Sequence, residues 1–227
     1  VRHLIFDFFG TLVNYEEIVG AHRIELARTE LSNYGVDLDA DAIAARFSDS
    51  TAALERLAQA TLEEFSMADA ARAFFADLGV GATDVLVERF VDAFLADWTG
   101  AVVPLPRLRE WLAALPLPKS VLSNTHHEPM VLGLLDRFDL RHAFGRITTS
   151  IGHGYRKPHA SVYRAHLDAV GVAARDAVFV GDNPQCDYFG PRAVGIEAYL
   201  IAPRPVAGVP ERFRLGHLYQ LMERLGG

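Results

Sequence analysis

Two short apolar runs in this 227-residue chain lead straight into carboxylates. Phe6 opens into Asp7-Phe8-Phe9-Gly10-Thr11, and Ala177-Val178-Phe179-Val180 into Gly181-Asp182-Asn183-Pro184-Gln185-Cys186-Asp187. Runs of this kind read as buried strands, and in an open parallel sheet ligands bind beyond the carboxyl ends of strands. Taken alone, Asp7 also reads as an Asp that caps a turn. Two strands ending in Asp, however, bring like charges together, which is costly unless a hard cation such as Mg²⁺ neutralises them. Val121-Leu122-Ser123-Asn124 ends another run in a hydroxyl and an amide, and Tyr155-Arg156-Lys157-Pro158 presents a cation just before a helical stretch. A carboxylate nucleophile, a hydroxyl, a lysine and Asp-bound Mg²⁺ together suit phosphoryl transfer, because each answers charge on the nucleophile or the phosphoryl oxygens.

The elements that must position these groups follow from the pattern around them. Strands are predicted at 3–9, 120–123, 146–149, 177–180 and 198–201, with amphipathic helices at 106–115, 129–138, 160–170 and, briefly, 191–194. Strand and helix alternating at this spacing indicate an α/β protein whose Rossmann-like parallel sheet is covered on both faces. Residues 14–100 break the rhythm. They are rich in Ala, Leu, Glu and Arg, carry helical patterns at 16–34, 40–59, 66–78 and 84–97, and show no strand, which predicts a small helical bundle inserted after the first strand. The expected domains are therefore a core of 1–13 with 101–227 and a helical insertion of 14–100. After a Pro- and Gly-containing loop at 203–210, a helix is expected to end at Gly226.

Composition narrows the partners. Half the residues are hydrophobic and 22% are charged, which excludes disorder and low complexity. Lys and Arg number 22 against 29 Asp and Glu, a net charge of −7 with no polybasic run, so no nucleic-acid partner is expected. A local cationic pocket for one small anion needs only a single Lys or Arg. Cys186 is the single cysteine, excluding an intrachain disulfide and a cysteine-rich zinc site; it reads as a small buried residue. The opening segment is too short for a leader or membrane span and is interrupted by Asp7. The expectation is a cytoplasmic protein with a small-molecule substrate and no membrane partner; oligomeric state is not legible.

In this order, the segments Asp7-Phe-Phe-Gly-Thr11, Ser123-Asn124, Lys157 and Gly181-Asp182 with Asp187 resemble the four motifs of the haloacid dehalogenase superfamily. The resemblance covers 1–13 and 101–227, and the helical insertion falls where that family carries a helical cap. It implies that Asp7 is a nucleophile forming a covalent aspartyl intermediate. Ser123 and Lys157 would orient and charge-balance it, and with Asn124 would bind the phosphoryl group. Asp7, Asp182 and the Phe9 backbone carbonyl would hold Mg²⁺, with Asp187 an inner or outer partner.

One position departs from the pattern. Family phosphatases usually place a second Asp two residues after the nucleophile, to protonate the leaving group and activate water; here that position is Phe9. Three readings follow: a leaving group that needs little protonation, another residue as the acid, or weak or absent turnover. The dehalogenase branch also lacks that Asp, since a 2-haloacid loses halide by carboxylate attack without protonation, but it resembles a metal-free design, whereas Gly181-Asp182 and Asp187 are intact. The phosphonate-cleaving branch relies on a cap lysine, and 13–100 contain none. A phosphate-binding protein without turnover is the third alternative. His126 and His127 are the nearest candidates for a replacement acid or base, although two consecutive histidines read first as ordinary solvated loop residues; His153 and Tyr155 could likewise reach substrate. Tyr15, Glu16, His22 and Arg23 could select substrate, or simply form a charged helix face.

Overall fold

The computed structural model describes residues 1–14 and 24–225 and divides into two compact units, Val1–Asn14 with Val103–Gly227, and Tyr15–Val102. The first unit is built on a six-stranded sheet. In chain order its strands are β1 (His3–Phe6), β4 (Lys119–Ser123), β5 (Arg146–Thr149), β6 (Ala177–Gly181), β7 (Glu197–Ile201) and β8 (Arg214–Leu215). Their spatial order is β5-β4-β1-β6-β7-β8, and all five pairings are parallel. This is the α/β sheet that the alternating pattern predicts. Helices α5 (Leu108–Ala114), α6 (Glu128–Arg137), α7 (Ser150–His153), α8 (Ala160–Val170), α9 (Gly190–Ala193) and α10 (Leu221–Leu225) complete the unit. On one side of the sheet Ile5, Leu122 and Phe179 pack with Val162, Tyr163 and Leu167 of α8, all buried. A second pairing, β2 (Val13–Asn14) antiparallel to β3 (Val103–Pro104), ties together the points where the chain leaves and re-enters this unit.

Two details differ from the sequence reading. The first strand ends at Phe6, three residues early. Asp7 N–H still donates to Val180 O (2.9 Å), but then Phe8 O collects the N–H groups of Thr11, Leu12 and Val13 in a tight turn, with Gly10 at φ +81°. The C-terminal helix is also shorter than expected, because Arg214–Leu215 adds to the sheet edge beside Leu200 and Ile201. Two residues are too few to leave a period-2 signature, so the edge strand was invisible in the sequence.

The second unit holds α1 (Glu25–Ser32), α2 (Ala40–Thr61), α3 (Met67–Asp77) and α4 (Asp84–Thr99). Its core is aromatic: Phe47 stacks on Phe94 at 4.7 Å and Phe74 on Phe90 at 5.3 Å between ring centroids. Side chains satisfy the helix starts. Asp39 and Thr83 cap α2 and α4, and Ser66 with Asp69 forms a reciprocal capping box on α3. α1 has no cap of its own, and Asp97 of α4 accepts from the N–H groups of Leu26 and Ala27 instead. Among the described residues no helix is long and apolar enough to cross a membrane.

Candidate active site

Strand order explains why the acidic residues meet. β1 lies between β4 and β6, with Phe6 opposite both Val121 and Val180, so the residues that follow β1 and β6 emerge side by side. Asp7, Asp182 and Asp187 each offer a carboxylate oxygen, and these oxygens lie within 4.8 Å of one another. Asp7 and Asp187 are buried, 7% and 1% exposed, while Asp182 opens to solvent.

Glycines make the approach possible. A Cβ on Gly10 would sit 2.5 Å from Asp182 Oδ2, and one on Gly181 would overlap the Asp187 carboxyl. Gly10 is thus required twice, by its backbone angle and by its neighbour. Between β6 and α9 the chain makes a π-helical turn, Pro184–Phe189, which carries Asp187 back over Gly181; such turns recur at functional sites. Asn183 caps it by accepting from the N–H groups of Gln185 and Cys186.

Lys157 stands in the middle of the carboxylates. It is 2% exposed, and its Nζ donates to Asp7 Oδ1 and Asp187 Oδ1, both at 2.7 Å. Burial works to lower its pKa, but the charges of Asp187 and Asp7 outweigh that, holding the ammonium above its ordinary range. Asp7 is displaced upward from the carboxylate range, first by burial and further by Asp187 and Asp182, with Lys157 opposing. Asp182 also moves up, through burial and then Asp187, while Thr11 Oγ1 steadies its Oδ1 from 3.1 Å.

These observations fit a divalent cation. Three carboxylates against one ammonium leave two negative charges in a largely desolvated cluster, and a hard dication with oxygen ligands is the species that balances them. Asp7, the exposed Asp182 and Asp187 offer the oxygens that could hold it. Asp187 has both oxygens engaged, Oδ1 by Lys157 and Oδ2 by Asn183 N–H at 2.9 Å, which suits it to orient Lys157.

The other predicted residues are placed differently. Ser123, fully buried at the end of β4, donates its hydroxyl to Asn124 O at 3.3 Å. Asn124 is turned toward the Lys157 backbone. Phe9 is half-buried and packs edge-on against Phe8 at 4.9 Å. His126 and His127 are half-buried in the loop after β4, where His127 occupies the N-cap position of α6 and its N–H donates to Thr125 Oγ1. His153 and His159 flank one hydroxyl, Ser161 Oγ, at 2.8 and 2.7 Å, and Tyr155 stacks on His159 at 4.3 Å. Cys186 has its thiol pushed up to about 11 by burial, as befits a packed residue rather than a nucleophile. Tyr15, Glu16, His22 and Arg23 lie outside the described residues. Thr11 and the steric need for Gly10 and Gly181 were missed in the sequence; the Gly-Thr and Gly-Asp pairs beside the acids were the signal that could have found them.

A family model for haloacid dehalogenase-like hydrolases matches residues 1–195, and the chain belongs to that family. It is 35% identical over 112 residues to haloacid dehalogenase-like hydrolase domain-containing protein 3 of Homo sapiens, covering 47% of this chain and 44% of that protein. The chain thus spans about half the length of the curated relatives it first matches. Its fold is that of a 2-haloacid dehalogenase from Pseudomonas syringae pv. Tomato DC3000 (TM-score 0.73, 21% identity, 100% of this chain and 98% of that one). It is likewise that of a HAD phosphatase from Thermococcus onnurineus (TM-score 0.67, 19% identity, 100% and 99%). One fold serves a dehalogenase and a phosphatase, so the reaction must be argued from side chains.

Proposed function

We propose that this chain is a Mg²⁺-dependent phosphatase acting on a small phosphorylated metabolite through a covalent aspartyl-phosphate, with Asp7 as nucleophile. The observation that supports it is the surplus of negative charge where β1 and β6 end: three carboxylates around one ammonium. Displacement of halide from carbon needs no dication, whereas a phosphate ester brings anionic oxygens that need one among them. Asp7, Asp182 and the Phe9 carbonyl would hold Mg²⁺, with Asp187 an inner or outer partner, and the ion would supply Lewis-acid charge neutralisation for those oxygens.

The residues of the chain do the rest. Lys157 fixes Asp7 through Oδ1, which leaves Oδ2 to attack phosphorus. The P–O bond to the leaving group breaks as the Asp7–phosphorus bond forms, and the group departs as a carboxylate, or as a phenoxide or alkoxide that takes its proton from solvent water. Water then cleaves the aspartyl-phosphate, returning the Asp7 carboxylate and releasing inorganic phosphate. Phe9 offers no proton for the first step, so the preferred substrates are those with good leaving groups, aryl and acyl phosphates. The helical unit is proposed to select among them.

Phe9 also supports a second reading, 2-haloacid dehalogenation, in which Asp7 displaces halide and no acid is required. Parallel assays of phosphate release from aryl, acyl and alkyl phosphates and of halide release from 2-chloropropionate, with and without chelator, separate the two. The expected result is phosphate release that chelator abolishes and Mg²⁺ restores, with alkyl esters slowest. Metal-independent halide release overturns it in favour of the dehalogenase, and phosphate binding with no turnover in favour of a binding protein.

A further inference from the structure

The residue after Ser123 has its carboxamide committed to one neighbour. Asn124 Oδ1 accepts the Lys157 N–H at 2.8 Å, and Asn124 Nδ2 donates to the Lys157 carbonyl at 3.0 Å. The side chain thus pairs with the backbone of Lys157 much as one strand pairs with another, closing a ring from both sides. What remains of its donor capacity points toward Cys186 Sγ, 4.0 Å away, and that thiol also reaches the Lys157 carbonyl at 3.3 Å.

The arrangement has a mechanical consequence. Lys157 belongs to the connection between α7 and α8, outside every strand, so no sheet ladder satisfies its N–H and C=O. Its side chain is nearly fully buried, and unpaired polar backbone groups in such surroundings are costly. Asn124 supplies both partners from a rigid base. It directly follows β4, and the next residue, Thr125, is locked to Ser150, whose Oγ accepts from Thr125 N–H at 2.9 Å and donates to Thr125 O at 3.2 Å. The Lys157 ammonium therefore reaches Asp7 and Asp187 from a backbone anchored to the sheet.

We propose that Asn124 is a positioning residue that sets Lys157 against Asp7, and not a ligand of the phosphoryl group. The proposal rests on the assignment of Asp7 and Lys157 given above. Misplacement of a reacting group by about 1 Å costs on the order of 10²-fold in rate, so Asn124→Ala is expected to lower kcat by about 10- to 100-fold while KM stays within about threefold.

A double-mutant cycle with Lys157→Met tests it. If Asn124 acts through Lys157, adding Asn124→Ala to Lys157→Met costs little more than Lys157→Met alone; if it binds substrate itself, the two losses multiply. Amide hydrogen exchange of Lys157, followed by NMR on the single Asn124→Ala variant, gives a reading independent of turnover and of whether Lys157→Met folds. Exchange there should accelerate by at least about tenfold beyond that of neighbouring amides. Multiplicative losses, a large rise in KM at constant kcat, or unchanged Lys157 exchange would each overturn the proposal. The cycle reads whichever product is released, phosphate or halide, so failure of the phosphatase reading shows separately, in the identity of the product.

Discussion

β1 and β4 bury polar groups at both of their ends, and the two ends differ in charge. At the amino end His3 Nε2 lies 2.8 Å from Ser120 Oγ, which lies 2.7 Å from His166 Nε2, whose Nδ1 is 2.8 Å from Thr148 Oγ1. Imidazoles and hydroxyls answer one another there. Burial lowers the pKa of His3 and, together with the nearby charges of His3, Arg146 and Lys157, pushes His166 down to about 3, so the chain stays neutral. At the carboxyl end three carboxylates surround one ammonium. The same sheet thus buries polarity without net charge where only packing is at stake, and holds unbalanced charge where a ligand can discharge it. The neutral end is a solved structural problem; the charged end keeps a surplus that the proposed cation would balance.

That contrast can be broken most strongly at Asp7. Asp7→Asn keeps the shape but removes the proposed nucleophile and one of the crowded charges. Turnover should fall by about 10³-fold or more while the melting temperature changes by only a few degrees. Retention of most activity in a clean preparation would rule out the covalent route. Next in size is Lys157→Met, which leaves the buried Asp7 and Asp187 without their cation. Losing one partner of a buried pair costs about 3–5 kcal/mol, to be read from urea unfolding at neutral pH, and a change below about 1 kcal/mol would show that the two short contacts contribute little.

The neutral end should betray itself through pH. Folded His166 titrates at about 3 and an unfolded histidine near 6.5, so between those values the unfolded chain takes up a proton that the folded chain refuses. Stability present above pH 6.5 is lost as the pH falls toward 3, by about 2–3 kcal/mol on reaching pH 4.5. Asp7 and Asp182, raised in the fold, act in the opposite direction, because their folded forms keep protons that the unfolded chain releases. The measurement is therefore the difference in slope between wild type and His166→Gln, and equal slopes would show that His166 is not the group responsible. Smallest of all, Thr148→Val removes one hydroxyl from the chain and should cost about 1 kcal/mol without altering turnover; a loss of activity would mean that the two ends are coupled.

Much of the charged end was legible in the sequence. An Asp directly after an apolar strand is a local feature, and two of them in an α/β pattern suffice to place both at one edge of the sheet. What each side chain does there was less accessible. The resemblance implies that Asn124 binds the phosphoryl group, and only the fold shows that its carboxamide pairs with a backbone 33 residues away. The resemblance makes Asp187 an inner or outer partner of the metal, and the fold adds that its oxygens accept from Lys157 and Asn183. Phe9 was the exception, a departure visible from its identity alone and one that fold does not alter: no conformation gives phenylalanine a proton to donate.

The neutral end was not legible at all. His3, Ser120 and His166 lie 117 and 46 residues apart in successive contacts, and each alone looks like an ordinary strand or helix residue. Hydrophobic periodicity is a property of neighbours, so the sequence by itself determined the alternation of strands and helices, the helical patterns within 14–100 and the acids that terminate β1 and β6. The choice of hydrogen-bond partner depends on distances of a few ångströms between segments remote in the chain. Strand order and register set those distances, and so only the tertiary structure decided that Lys157 would sit between Asp7 and Asp187, that Gly10 and Gly181 would have no room for a Cβ, and that two histidines would share one serine.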